Sequence, residues 1–298
     1  MNKPKAVAVV GPTSSGKTSL AIKIAQQFDG EVISADSRQV YTGLNLGTGK
    51  VSFEEMQGVP HHLIDIADPK ENYTAAEFEL DATAAILDIR NRGKLPIVAG
   101  GTFFYLDMLR GIHNSAPVPP NESFRFSLDG CSTDQLYTKL KQSDPERAET
   151  IDSKNRSRLV RALEIIQSLG KVPKPKKNDS PYQWLIIGID IDKVRLHENI
   201  HERLQERLEA GLILEVENLH KDGLSYERLE ELGLEYKLIA KHLQHEMPHQ
   251  KLVTKLVTKN CQYAKRQMTW LKKDKEIEWF KPNQIDRVYE RASAFLQE

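Results

Sequence analysis

Cysteine is nearly absent from this chain: Cys131 and Cys261 are the only two in 298 residues. They lie far apart with no partners at metal-ligand spacing, which argues against a disulfide framework or a zinc module and fits a reducing compartment. Net charge is absent too, with 42 Lys and Arg against 42 Asp and Glu. No global field advertises a polyanionic partner, so any basic surface must be local. No apolar run approaches the length of a membrane span, and the opening residues MNKPK carry no apolar signal stretch. A cytoplasmic protein that avoids membranes is expected. There is no internal repeat and no low-complexity tract beyond Lys171–Lys177. The length suits about two domains, or one domain with an insertion.

What is present is concentrated first at residues 6–18, AVAVVGPTSSGKT. An apolar run, Ala6 to Val10, ends in a Gly-Pro turn. Gly11-Pro12-Thr13-Ser14-Ser15-Gly16-Lys17-Thr18 then has the phosphate-loop spacing G-x-x-x-x-G-K-[ST]. Glycines let backbone N–H groups close around phosphate oxygens. Lys17 supplies a cation, and the Thr18 hydroxyl can ligate Mg²⁺. The loop opens a helix predicted over 18–28, whose N-terminal dipole adds to the anion site. A polyphosphate ligand follows; its fate does not.

Along the chain, Val32 to Ala35 read as a second buried strand with Asp36-Ser37-Arg38-Gln39 just past its carboxyl end, where open α/β sheets bind ligands. The bland alternative for Asp36 is an Asx-turn or helix cap. LGTGK (46–50) is another Gly-interrupted turn, and His61-His62 abut a strand without metal-ligand spacing, so they read as structural. Helical periodicity covers 74–92, after which Leu95 to Ala99 form a strand, Gly100-Gly101-Thr102 a turn and Phe103 onward a helix. Thr102 therefore falls at the same sheet edge as Asp36 and the loop.

Alternation then stops. Residues 114–135 hold three prolines and read as a boundary or the start of an insertion, followed by helices at 133–142 and 144–151 and one carrying Leu159, Leu163 and Ile166 on a single face. From Lys154 to Lys177 there are eight Lys or Arg (154, 156, 158, 161, 171, 174, 176, 177) against one acid, Glu164. A segment so lopsided in a neutral chain points to phosphate contact rather than a merely solvated face. A strand over 184–192 returns to the sheet. Helices follow at 193–210, 214–221, 225–232, 235–244 and 251–271, then a strand at 276–280 and a helix at 285–296. The expected fold is α/β, a P-loop NTPase-like parallel sheet flanked by helices (1–113 and 183–298) with a mainly helical insertion domain (114–182).

Four uses of the loop compete. A GTPase needs Asn-Lys-x-Asp, and Thr258-Lys259-Asn260-Cys261 lacks the aspartate. A motor ATPase wants four apolar residues ending in an acid, which VISAD (32–36) matches loosely. A small-molecule kinase suits Asp36 as the group that orients or deprotonates an acceptor hydroxyl. The fourth use is a transferase whose loop holds a leaving pyrophosphate.

GPTSSGKTSLA, ISADSRQVYTGLNLGTGK, PHHLIDI, VAGGTFFYL, SRLVRALE and AKRQMTWL occur in this order. Together they resemble the tRNA dimethylallyltransferases (tRNA isopentenyltransferases), from about Val7 to Phe280. The resemblance implies transfer of a dimethylallyl group from its pyrophosphate to the exocyclic amine of the adenosine just 3′ of the anticodon. It implies that Thr13, Lys17 and Thr18 hold the donor's diphosphate with Mg²⁺ alongside, and that Arg203 lies against it. It makes Asp36 the catalytic base and Thr102 a contact to the target nucleotide. It sets Asp36, Ser37, Arg38 and Gln39, then Ser157, Arg158, Leu159, Val160 and Arg161, and the helix around Lys265, Arg266, Gln267 and Trp270, against the tRNA anticodon stem-loop, with Arg125 a weaker match. A monomer is expected.

The chain departs from the family pattern at Gly233-Leu234-Glu235-Tyr236-Lys237, where Gly-Tyr-Lys/Arg is commoner, and at Asn199, where many members have arginine. The first departure carries no assigned role. The second would shift diphosphate contacts onto Arg203. An adenylate isopentenyltransferase acting on free nucleotides is the runner-up, then a P-loop kinase. A mononucleotide acceptor needs neither the basic insertion nor KRQMTW.

Overall fold

A computed structural model describes residues 3–113, 116–174 and 179–298. Asn114, at the expected start of the insertion, and Lys176 and Lys177 of the basic segment lie outside the described residues. The chain divides into two compact units, Met1–Gly111 with Asp179–Glu298, and Ile112–Asn178.

The larger unit begins with β1 (Lys5–Val10), α1 (Lys17–Gln27), β2 (Gly30–Ser34), β3 (His61–His62), α2 (Ala75–Asn91), β4 (Leu95–Ala99) and α3 (Phe103–Leu109). The smaller unit holds α4 (Glu122–Ser127), α5 (Thr133–Ser143), α6 (Pro145–Thr150) and α7 (Arg156–Leu169). The larger unit resumes with β5 (Gln183–Ile189), α8 (Lys193–Glu209), α9 (Leu212–Lys221), α10 (Tyr226–Glu231), α11 (Leu234–Leu243), α12 (His249–Leu271), β6 (Ile277–Phe280) and α13 (Ile285–Gln297).

Six strands form one parallel sheet in the order β3-β2-β4-β1-β5-β6. Its central strands are apolar on both faces, as a parallel sheet covered by helices requires. Side chains alternate between the faces. Ala6, Ala8 and Val10 pack with Phe78, Ala82, Ile86 and Ile89 of α2, whereas Val7 and Val9 pack with Ala21, Ile24 and Ala25 of α1 and with Phe295 of α13. A third cluster joins the segment after β2 (Val40, Tyr41, Leu44) to Leu204, Leu212, Val216, Leu252 and Leu256 of the later helices. That cluster anchors the 36–50 segment beside the phosphate loop.

Local signals set the helix ends. Thr74 and Glu77 form a reciprocal capping box on α2, and Asn155 caps α7, which ends at Gly170 in the left-handed region. Two expectations need correction. The strand predicted over 184–192 stops at Ile189: Asp190 donates its N–H to Phe280 O, where β6 ends, and the Asp192 carboxylate caps α8. The segment 114–135, read as the start of the helical insertion with no helix placed before 133, contains α4, a short helix capped by Asn121 and too brief to show periodicity.

The smaller unit has its own core of Leu128, Leu136, Leu140, Ala148, Leu159, Ala162 and Leu163. Within it, the fully buried Glu164 carboxylate accepts from Arg125 Nε at 2.8 Å, from the Asn121 amide at 2.7 Å, and from Arg161.

Candidate active site

Three loops meet at the carboxyl edge of the parallel sheet: the phosphate loop after β1, Asp36–Gln39 after β2, and Gly100–Thr102 after β4. Close approach makes the third loop specific. A β-carbon at Gly100 would lie 2.1 Å from Ala35 O, so only glycine lets this turn press against the start of the Asp36 segment. The two loops are then joined by Thr102, whose N–H donates to Ala35 O at 3.1 Å and whose Oγ1 accepts the Ser37 amide at 3.0 Å.

Asp36 makes the turn of the bland alternative and still lines the cavity at the sheet edge. Its Oδ1 accepts the Arg38 amide at 2.9 Å, an Asx-turn that fixes the side chain. Its Oδ2 points toward Gly101, where a β-carbon would sit 3.9 Å away. One oxygen positions the carboxylate and the other remains for a substrate.

Gln267 of α12 ties two of the loops together. Its Oε1 accepts the Thr13 amide at 2.7 Å, and its buried Nε2 donates to Gly101 O at 3.0 Å. Ser14 adopts positive φ, and its carbonyl accepts from Asn199 Nδ2 at 3.0 Å. Asn199 of α8 thus holds the loop's backbone.

These elements enclose a cavity of about 320 Å³. Thr13, Ser14, Lys17 and Thr18 form one wall, Asp36 to Gln39 with Gly101 a second, and Arg203 of α8 sits between the phosphate loop and the 47–49 turn. Gly11 and Pro12 lead into the loop, while Ser15 and Gly16 turn to its other side, toward Ile189 and Phe280. Lys17 Nζ donates to Pro12 O at 2.7 Å. Burial lowers the Lys17 pKa to about 8, with Asp36 opposing and Arg203 adding to the drop.

Several cavity residues carried no sequence assignment: Gly47, Thr48, Gly49, Arg207, Glu235, Tyr236, Asn260 and Tyr263. Their signals were the LGTGK turn, the 233–237 departure and the spacing of Arg207 one turn after Arg203. The turn is held from below. Glu215 accepts the amides of Asn45, Leu46 and Gly47 at 2.7–3.1 Å and the Tyr236 hydroxyl at 2.8 Å. A β-carbon at Gly47 would lie 2.4 Å from the Tyr236 ring, so glycine is required there. Burial raises the Glu235 carboxyl above its usual range, with Arg207 and Asn260 opposing. It raises the Tyr263 hydroxyl to about 12.

On α12 beside this cavity, Lys265, Arg266 and Trp270 are exposed, and the Arg266 guanidinium lies 5.7 Å from the Tyr263 ring centroid. Within the smaller unit, Ser157 and Arg158 are exposed and Val160 half-buried. Leu159 fills the core and presents no side chain to a ligand. Arg125 and Arg161 both bind Glu164, so part of their charge is already neutralised. His62 Nε2 pairs with the buried Glu31 at 2.7 Å. Among the described residues, no group of three His, Cys, Asp or Glu side chains could hold a metal, and no helix is long and apolar enough to cross a membrane.

The sequence profile of the family described as IPP transferase matches residues 39–274. The chain is 44% identical over 277 residues to tRNA dimethylallyltransferase 2 of Treponema denticola, covering 91% of this chain and 93% of that one. It is 38% identical over 292 residues to tRNA dimethylallyltransferase of Anoxybacillus flavithermus, covering 96% and 93%. A crystal structure of a eukaryotic dimethylallyltransferase acting on tRNA superposes with a TM-score of 0.86 at 27% identity, covering 99% of this chain and 80% of that one.

Proposed function

This chain belongs to the IPP transferase family, and on that premise we propose that it is a tRNA dimethylallyltransferase using dimethylallyl pyrophosphate as donor. The observation that carries the reading is a single cavity in which Lys17, Thr18 and Arg203 face Asp36. Polyphosphate-binding cations on one wall and a fixed carboxylate on another suit a reaction that expels pyrophosphate and accepts a proton.

The exocyclic amine of adenine attacks the allylic C1. The C1–O bond breaks with its electron pair going to pyrophosphate, the C1–N bond forms, and the amine proton passes to Asp36 Oδ2. Negative charge grows on the departing diphosphate, where Lys17, the loop amides and Arg203 stabilise it. The Asx-turn holds the carboxylate in register at no cost during the reaction.

Mg²⁺ fits this donor set. Thr18 offers one hard oxygen and Asp36 is the carboxylate on the facing wall, a sparse protein shell that suits an ion keeping its waters and substrate phosphates. When bound, it would offset charge on the diphosphate.

The target adenosine must leave its stack to enter a cavity of this depth. Arg38, Lys265, Arg266 and Trp270 supply the cations and the aromatic face that RNA recognition uses. The exposed Ser157 and Arg158 of the smaller unit add contacts to the anticodon loop. The enzyme works in the cytoplasm as a monomer.

The test is incubation with radiolabelled dimethylallyl pyrophosphate and, separately, tRNA, AMP and ATP. Label in tRNA is expected. Label in a mononucleotide, or phosphate transfer from ATP, would replace this reading.

A further inference from the structure

Two guanidinium groups converge on one point of the cavity. Arg203 Nη2 and Arg207 Nη1 each lie 3.5 Å from where a β-carbon on Gly49 would sit. Neither arginine pairs tightly with a carboxylate among the described residues. Arg207 instead donates from Nε to Arg203 O at 3.1 Å, and from Nη1 to Leu46 O and Gly47 O at 3.3 and 3.5 Å. Its Nη2 makes no hydrogen bond among the described residues. Lys17 lines the same cavity and lies within the field of Arg203. Like charges gathered in a partly desolvated site repel one another, and a polyanion relieves the repulsion.

A purely structural role for Arg207, pinning the 45–49 turn, is redundant. That turn is already fixed by three shorter hydrogen bonds to Glu215, and the arginine's own bonds to Leu46 and Gly47 stand at the long limit. Burial also holds Arg207 below its ordinary range, with Glu235 opposing and Arg203 reinforcing. Glu235 lines the same cavity as Arg207, so the chain places an acid near this extra cation.

We propose that Arg207 is a second diphosphate-binding arginine, poised beside Arg203 and counterbalanced by Glu235 until the diphosphate arrives. This rests on the donor assignment above. A fork of donors next to Arg203 matches a ligand with two phosphoryl groups better than one guanidinium alone.

Titration calorimetry with inorganic pyrophosphate and Mg²⁺, on the full chain, tests it, with anticodon stem-loop binding as the readout of folding. Arg207→Gln should weaken pyrophosphate about tenfold or more and leave RNA affinity within about twofold. Glu235→Gln, which removes the counter-charge, should tighten pyrophosphate severalfold. Arg207→Gln binding pyrophosphate as wild type does would overturn the proposal, and an unchanged affinity in Glu235→Gln would overturn the counter-charge. If Arg207→Gln loses RNA as well, Arg207→Lys decides: weakened pyrophosphate supports the fork contact, unchanged pyrophosphate refutes it. No pyrophosphate uptake by the wild type would instead bring down the donor assignment itself.

Discussion

Gln267 and Thr13, 254 residues apart in sequence, share a hydrogen bond of 2.7 Å from the Thr13 amide to the Gln267 side chain. The same amide side chain reaches Gly101 O, so one residue of α12 fixes the spacing between the phosphate loop and the loop beside Asp36. The phosphate loop and Asp36 are thereby held in register.

Replacing Gln267 by Ala leaves the Thr13 N–H and Gly101 C=O without their partner. The expected loss is about 1–3 kcal/mol of stability, seen as a lower Tm. Transfer should fall further than stability alone explains, with a raised KM for the donor. A Tm and KM equal to those of the wild type would show that the link is dispensable.

Asp36→Asn keeps an oxygen to accept the Arg38 amide but removes the carboxylate charge. Transfer should drop by about 10²–10⁴-fold while tRNA affinity changes little. Single-turnover kinetics and filter binding separate the two effects. Near-wild-type turnover would exclude Asp36 as the base.

Burial pushes the Lys17 pKa down to about 8. Its charged form, the one proposed to attract the diphosphate, prevails below that value and is lost as pH rises through it. Pyrophosphate affinity should therefore fall between pH 7 and 9, and Lys17→Met should bind weakly throughout and lack the inflection. Affinity that stays flat across this range in the wild type would contradict the assignment.

Arg158 is exposed, whereas Arg161 is bonded to the buried Glu164. Arg158→Ala should lower tRNA affinity and reduce the salt slope by about one, with Tm unchanged. Arg161→Ala should lower Tm as well, because it strips a donor from a buried carboxylate. Equal thermal behaviour of the two variants would show that the Glu164 cluster is not what holds the smaller unit together.

The sequence by itself determined the features that depend on local spacing. The loop from Gly11 to Thr18 follows from the positions of its glycines, and the alternating apolar runs and caps place most strands and helices within a residue or two. Asp36 and Thr102 were legible because a parallel sheet brings the ends of its strands to one edge. The residues on helices that reach this edge from elsewhere in the chain gave no such signal. Gln267 meeting Thr13, Glu215 gathering the amides of 45–47, Arg203 and Arg207 meeting the turn at Gly49, and Arg125 closing on Glu164 all depend on how segments distant in sequence pack. Spacing along a chain fixes which face a side chain occupies, but only tertiary packing decides what that face meets.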